Sequence, residues 1–329
     1  MRNVCIVGYG SIGPIHAEAL KKTETAKLYA VCDIDRKRLK LSEEECGVLT
    51  YTDFDEMLLD ANINAVHICT PHYLHFSMIK KALDAGKTVV CEKPVTMRKD
   101  EYQELLKLEN EDKVCVVLQN RLNVCVEKFK EVIESGKLGK IKTAKAVLSW
   151  NRGNEYYRSA DWRGKWSTEG GGLLINQAVH TLDFFSYLVG NVKMVNAQMI
   201  NFAADEIEVE DTLTVYLKFE SGISGIFFAT NAYGDDSPPI FEVICEKGVL
   251  RYIDGKLYSD DELLCEDIKP EICKKYWGSS HEKVFIDFYD KGKYFTPKDI
   301  KNTMNTMFAI YESAMHNKEE MEKGVVVRI

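Results

Sequence analysis

Asn3-Val4-Cys5-Ile6-Val7-Gly8-Tyr9-Gly10-Ser11-Ile12-Gly13 decides the fold. An unbroken apolar run enters Gly-x-Gly-x-x-Gly, and a helix candidate over 14–22 follows it directly. A strand with no polar face suits a sheet covered on both sides. In the order strand, glycine turn, helix, the glycines let the backbone turn tightly and come close to a pyrophosphate. The helix N-terminus then holds the charge. Gly8, Tyr9, Gly10, Ser11, Ile12 and Gly13 therefore form a candidate dinucleotide loop. The second strand candidate ends at Asp33, twenty residues beyond Gly13. A carboxylate there accepts from a ribose 2′-hydroxyl and repels a 2′-phosphate. Arg36 and Arg38 partly offset that repulsion, so NAD is the expected cofactor and NADP the less favoured one. The competing reading is a glycine turn in an α/β protein that binds no nucleotide.

Outward from this loop, strand candidates at 3–7, 28–32, 65–69, 88–91 and 114–118 alternate with helix candidates at 14–22, 35–46, 53–60, 73–86 and 98–110. That alternation predicts a doubly wound parallel sheet with right-handed crossovers, a Rossmann domain over residues 1–120. Ligands of such sheets bind at the carboxyl ends of the strands. Glu92-Lys93-Pro94 closes one strand candidate there, and Cys69-Thr70-Pro71 closes another, with His75 in the helix that follows. Proline restricts the lysine backbone to an extended conformation, which aims the ammonium. Thr70, His75, Glu92, Lys93 and Gln119 join Asp33 and Arg38 as candidate cofactor contacts. Lys93 and Arg121 also face the expected substrate. A helix cap is an equal reading of Thr70, and an ordinary surface lysine is the plain reading of Lys93 alone.

Beyond residue 120 the pattern changes. A helix candidate at 123–135 precedes a strand at 141–149 and a helix at 172–189, followed by the runs 213–219, 223–230, 240–246 and 248–252. These runs alternate, which implies a large open-faced, mainly antiparallel sheet in an α/β domain over 121–329. A helix from 300 to 316 closes the chain. The uncovered sheet face predicts a homo-dimer or homo-tetramer.

The 329 residues carry a formal net charge of -8, with 45% hydrophobic and 29% charged residues. This is a globular composition, and it argues against nucleic acid as the main partner. No apolar run reaches membrane-spanning length, and the N-terminus enters a strand without room for a signal peptide, so the expected location is the cytoplasm with no membrane partner. Of the ten cysteines, Cys5, Cys32, Cys69, Cys91 and Cys115 sit in strand-like runs, where a thiol acts as a small hydrophobe. None has zinc-finger spacing, and no metal site is expected.

A second dense motif is Glu169-Gly170-Gly171-Gly172-Leu173-Leu174-Ile175-Asn176-Gln177-Ala178-Val179-His180-Thr181-Leu182-Asp183. Three glycines permit close backbone approach before a helix begins. Asn176 and His180 are four apart and share a face, with Asp183 available to orient the imidazole. A lone histidine on an apolar helix is more often a satisfied core residue. Upstream, 150–166 holds three of the four tryptophans among arginines and amides. Tyr157, Trp162 and Arg163 offer the aromatic faces and fork-shaped donors that suit a polyhydroxylated ring, the alternative being a long loop pinned by its aromatics.

Together these motifs resemble the Gfo/Idh/MocA family of glucose–fructose oxidoreductases, inositol dehydrogenases and rhizopine-catabolism proteins. The resemblance rests on the first glycine loop, Cys-Thr-Pro-His-x-x-His at 69–75, Glu-Lys-Pro at 92–94, the glycine-rich stretch at 170–183, and the late Asp-Phe-Tyr at 287–289 and Ile-Tyr-Glu-Ser-Ala at 310–314. It implies catalytic roles for Lys93 and His180, with a sugar or cyclitol as the small-molecule substrate. Many polyol dehydrogenases of the family carry aspartate where this chain has Asn176, so proton transfer is expected to rest on Lys93 and His180 while Asn176 holds a substrate hydroxyl. The expected function is hydride transfer between NAD(P) and a secondary hydroxyl or ketone of a sugar, sugar derivative or cyclitol. An NAD-dependent glycosidase working by transient oxidation and a non-catalytic nucleotide-sensing regulator are the alternatives.

Overall fold

The computed structural model describes residues 1–202, 204–268 and 280–322, and the chain divides into two compact units. The first unit holds six parallel strands: β1 (Arg2–Val7), β2 (Ala26–Cys32), β3 (Leu49–Tyr51), β4 (Ala65–Ile68), β5 (Thr88–Cys91) and β6 (Val114–Val116). Their order across the sheet is β3-β2-β1-β4-β5-β6, that of a Rossmann domain. Val4, Cys5, Ile6, Val66, Ile68, Val89 and Val90 are all fully buried, which is why these strands read as continuous apolar runs. Helices α1 (Gly13–Leu20), α2 (Arg36–Cys46), α3 (Phe54–Leu58), α4 (His72–Asp84) and α5 (Lys99–Leu105) connect them. Asp35 and Asp53 start α2 and α3 by accepting the backbone N–H groups of Lys37 and Glu56. β3, three residues long, has no counterpart among the expected strands.

The boundary expected at residue 120 needs a correction. The first unit runs to Leu122 and also takes in the described residues 280–300, which the sequence reading placed in the second domain. The second unit opens with α6 (Val124–Glu134). The physical reason for the return is hydrophobic: Val284, Phe285, Phe288 and Tyr289 complete the core formed by Ile6, Ala17, Leu20 and Val31. Burying Phe285 alone contributes on the order of 2 kcal/mol. Polar ties fasten the same segment. The Asp290 carboxylate accepts the N–H groups of Glu24 and Thr25, both at 3.0 Å, and Val116 N–H donates to Phe295 O at 2.8 Å.

The second unit comprises the described parts of 123–268 and 301–322. After α6 come β7 (Ile141–Ser149) and α7 (Asn154–Arg158), then the segment expected as one helix over 172–189. That segment is a π turn at Leu174–Ala178, α8 (Val179–Phe184), and a second π turn at Phe185–Val189. Strands β8 (Val192–Ile200), β9 (Thr212–Phe219), β10 (Ser224–Thr230), β11 (Ile240–Cys245), β12 (Val249–Ile253), β13 (Lys256–Ser259) and β14 (Glu262–Glu266) join β7 in an eight-stranded sheet. Its order is β14-β13-β12-β11-β7-β10-β9-β8, antiparallel except for the β7–β10 pair. In β9, Leu213, Val215, Leu217 and Phe219 point into the core, where Phe185 packs against Phe219, Phe227 and Phe241. The opposite face leaves Tyr216 and Ile226 about half exposed. The helix that closes the unit is preceded by α9 (His281–Asp290) of the first unit and is α10 (Lys301–Glu322). It lies along β8, where Ala197 N–H donates to Ser313 Oγ at 3.1 Å. Among the described residues no helix is long and apolar enough to cross a membrane.

Candidate active site

The glycine loop, the Thr70 loop and the Lys93 loop leave the carboxyl ends of β1, β4 and β5, which are neighbours in the sheet. They also touch. Gly8 has φ +90°, and a Cβ there would lie 2.7 Å from the Cys69 carbonyl oxygen; one on Gly13 would lie 2.7 Å from that of Gly8. Gly10 differs: the single group near its would-be Cβ is the Arg38 guanidinium, at 3.7 Å. The first two glycines close the loop on its neighbours, and the third keeps the ground above it open. α1 begins here without a side-chain cap, with Ser11 exposed and Ile12 at the N-cap, so its first N–H groups are available to an anion.

Tyr9 contributes only its backbone. Its N–H donates to Asp33 Oδ2 at 2.7 Å, while its ring is buried beside Glu45 and Cys46. Asp33 also accepts Asp35 N–H at 2.8 Å, and Arg38 Nη1 lies 3.5 Å from Oδ2. Each carboxylate oxygen accepts two hydrogen bonds, so Asp33 braces the loop and retains capacity for a ribose hydroxyl. Gln119 is buried, and its Oε1 has no hydrogen-bond partner. An open glycine cradle, an uncapped helix start and an orphaned amide oxygen fit a dinucleotide. Gly10, the α1 N-terminus, Asp33 and Gln119 would hold it.

Three expected contacts are corrected. His75 is fully buried, with Nδ1 2.7 Å from Pro94 O and Nε2 2.8 Å from Thr70 O. It clamps the two loops together and has no ring nitrogen left for a cofactor. Burial lowers its pKa, while the two carbonyls work in the opposite direction. Glu92 turns its carboxylate inward to His16 Nε2, at 3.0 Å. Arg121 is buried, its guanidinium 4.7 Å over the Phe295 ring, and does not reach for a substrate. Thr70 does not cap α4, because its hydroxyl meets Met78 Sδ at 3.6 Å. Lys93 is half-buried, lies two residues past the end of β5, and forms a cis peptide with Pro94.

In the second unit the glycine triplet packs against protein. Gly172 and Leu174 N–H donate to the buried Glu210 carboxylate at 3.0 and 2.9 Å, Leu173 N–H donates to Glu210 O at 3.0 Å, and Tyr311 Oη donates to the carboxylate at 3.0 Å. This anchorage fixes the start of the π turn that carries Asn176 and Gln177. Asn176 Nδ2 donates to Glu169 Oε1 at 2.6 Å and to Tyr156 Oη at 3.3 Å; Gln177 Nε2 donates to the same hydroxyl at 2.8 Å. Arg163 stacks 4.1 Å over Tyr156 and donates to Ser159 Oγ and Tyr156 O, beside Trp162. His180 is half-buried on α8, and Asp183 accepts the Thr303 hydroxyl at 2.6 Å. Tyr157, expected at the substrate, is instead core: it packs with Ala204, Ile207 and Val209, and Asn231 donates to its hydroxyl.

The hub of this network is Glu169, together with Tyr156 and Gln177, and none of the three was singled out from the sequence. A carboxylate opening a glycine-rich motif was the available signal. Burial pushes the Glu169 carboxyl from 4.5 up to about 7, against the Gly164 N–H and Asn176 amide that favour its charge. The folded state therefore binds this proton more tightly than the unfolded chain. Its stabilisation is complete below 4.5 and is lost as pH rises through 7, a change of about 3 kcal/mol. Urea unfolding at pH 5.5 and 8.5 is expected to show the part of that loss above pH 5.5, about 2 kcal/mol, in wild type and not in Glu169→Gln.

Residues 2–128 match a family model described as an oxidoreductase family with an NAD-binding Rossmann fold, and residues 126–251 match the GFO/IDH/MocA C-terminal domain. Myo-inositol 2-dehydrogenase of Thermotoga maritima is 30% identical over 257 residues, covering 74% of this chain and 72% of that protein. The uncharacterized oxidoreductase YrbE of Bacillus subtilis is 29% identical over 67% of this chain, and the match spans 64% of YrbE, just under two thirds. The WlbA dehydrogenase of Bordetella pertussis, solved with NADH and UDP-GlcNAcA, superposes with a TM-score of 0.86 at 28% identity over 96% of both chains.

Proposed function

Given that the chain belongs to the GFO/IDH/MocA oxidoreductase family and binds NAD, we propose that it oxidises a secondary ring hydroxyl of a sugar, sugar derivative or cyclitol. The observation that carries this reading is the placement of Lys93. It leaves β5 on the sheet edge that bears the dinucleotide loop, in a segment clamped by His75 to the Thr70 loop. Bound at that edge, nicotinamide supplies the hydride acceptor. Lys93 and His180 are the groups we assign to the substrate hydroxyl proton. The Lys93 ammonium favours the developing alkoxide, and the imidazole of His180 takes a proton at neutral pH. Asn176 holds a neighbouring hydroxyl, its own orientation set by Glu169 and Tyr156.

The relatives support a polyhydroxylated ring: inositol for one, and a complex with a nucleotide-linked amino sugar acid for another. An absorbance screen over inositols, pyranoses, sugar phosphates and nucleotide sugars, with NAD and NADP in parallel, tests the proposal. Stoichiometric NADH from a ring alcohol supports it. Release of a glycone without net NADH assigns a glycosidase, and tight NAD binding with no turnover assigns a sensor. The half-exposed Tyr216 and Ile226, with Met194 more exposed still, further lead us to propose a homo-dimer or homo-tetramer through the open sheet face. Light scattering is expected to give a multiple of the 37.5 kDa chain, and a monomer would reject this assembly.

A further inference from the structure

Behind the Lys93 loop, inside the first unit, lies a cluster with no part in the proposed reaction. His16 on α1, Glu92 at the end of β5 and His281 at the start of α9 meet in the interior, at 0%, 7% and 2% exposure. His16 Nε2 and His281 Nε2 lie 3.0 and 3.4 Å from one oxygen, Glu92 Oε1, and all three donor atoms fall within 4.8 Å of one another. His281 is the odd member. Its Nε2 faces the carboxylate only at 3.4 Å, and its Nδ1 has no hydrogen-bond partner. A buried ring nitrogen left without a hydrogen bond costs about 1–3 kcal/mol.

We propose that His16, Glu92 and His281 form a binding site for a divalent transition-metal cation of the zinc class. Two imidazoles and one carboxylate are a known zinc donor set, and one coordination position stays open to a further ligand. With metal–ligand distances of about 2.0–2.2 Å, tetrahedral geometry sets neighbouring donor atoms roughly 3.3 Å apart, a value between the two observed separations. A cation uses the lone pair of His281 and neutralises the buried charge of Glu92.

The surroundings of His16 accommodate the change. His16 Nδ1 lies 3.0 Å from His67 Nδ1, and His67 Nε2 lies 2.8 Å from Tyr289 Oη. Without a cation, His16 Nε2–H donates to Glu92, His67 donates to His16, and Tyr289 donates to His67. With a cation on Nε2, the His16 proton resides on Nδ1 and the relay reverses: His16 donates to His67, and His67 donates to Tyr289. Both ring nitrogens of His16 and of His67 keep a partner in either state. The oriented second ring nitrogen is the support that metal-bound histidines ordinarily have. The cation would fasten α1, β5 and α9 to one another, immediately beside Lys93.

The test is a titration of tag-free, chelator-stripped protein with cobalt(II). The expected result is one saturable equivalent with visible d–d bands, displaced by zinc and lost in His281→Gln. X-ray absorption of the cobalt protein, which needs no variant, is expected to count two imidazoles and no sulfur. Absence of saturable binding, equal binding by His281→Gln, or a sulfur-to-cobalt charge-transfer band from the thiols would each overturn the site and leave His16–Glu92 an ordinary hydrogen-bonded pair. None of these readouts depends on turnover, so failure of the site is distinct from failure of the proposed reaction.

Discussion

Lys93→Met is expected to lower kcat by about 10²–10⁴-fold, the range spanned by removal of a positioned proton-transfer group. Methionine is one atom shorter but keeps an unbranched apolar stem, so the change chiefly removes the ammonium. The dinucleotide groups, Gly10, Asp33, Gln119 and the α1 N-terminus, are untouched, so NADH affinity measured by fluorescence should stay within about threefold, under 1 kcal/mol. The two measurements separate explanations. Equal loss in kcat and kcat/KM with NADH binding retained marks an interaction made in the transition state. Unchanged kcat would remove Lys93 from the chemistry, and lost NADH binding would make it a cofactor contact instead.

Gly172→Ala is expected to cost about 3–5 kcal/mol, a large share of the stability of an ordinary domain. A Cβ at this position would drive into the Glu210 carbonyl oxygen and come within 2.8 Å of Val209 Cγ2. The loop has no direction in which to yield, because Gly172, Leu173 and Leu174 all donate to Glu210. Moving it away breaks buried hydrogen bonds at about 1 kcal/mol each and adds an overpacking penalty of similar size. Gly153→Ala is the control, because a Cβ there meets nothing within 4 Å. Urea midpoints of the two variants should differ sharply, and near-equal values would show that the triplet tolerates side chains.

What was legible follows from how local each signal is. The first five strands expected in the Rossmann domain appear because residues such as Val4–Val7 and Thr88–Cys91 are apolar on both faces, a pattern that needs no knowledge of neighbours. β8 was missed because one side of it carries Asn196 and Gln198, a bulge at Lys193 breaks its alternation, and a single residue, Ala197, is deeply buried. α9 was missed as part of the first unit because nothing in Val284–Tyr289 says which core it fills. Motif and resemblance singled out Lys93, Asn176 and His180 as candidates, but local sequence gave the wrong environment for His75, Glu92 and Arg121. Each of those three is bonded to a distant segment, as in the 76 residues between His16 and Glu92. The same separation hid the His16–Glu92–His281 cluster, since metal motifs are recognised by close spacing and these donors come from three separate elements.

The return of the chain to its first unit has a consequence for biosynthesis. A ribosome delivering this polypeptide from its N-terminus finishes all six Rossmann strands by Val116, but the cover over α1 waits for Phe285 and Tyr289. The eight-stranded sheet is complete at Glu266 and waits in turn for α10. The first unit can close only once Phe285 and Tyr289 have emerged, and the second only once α10 follows, so neither core is finished while residues up to 268 are being made. A premature stop after residue 268 would therefore leave two open cores, not one finished domain and one missing one.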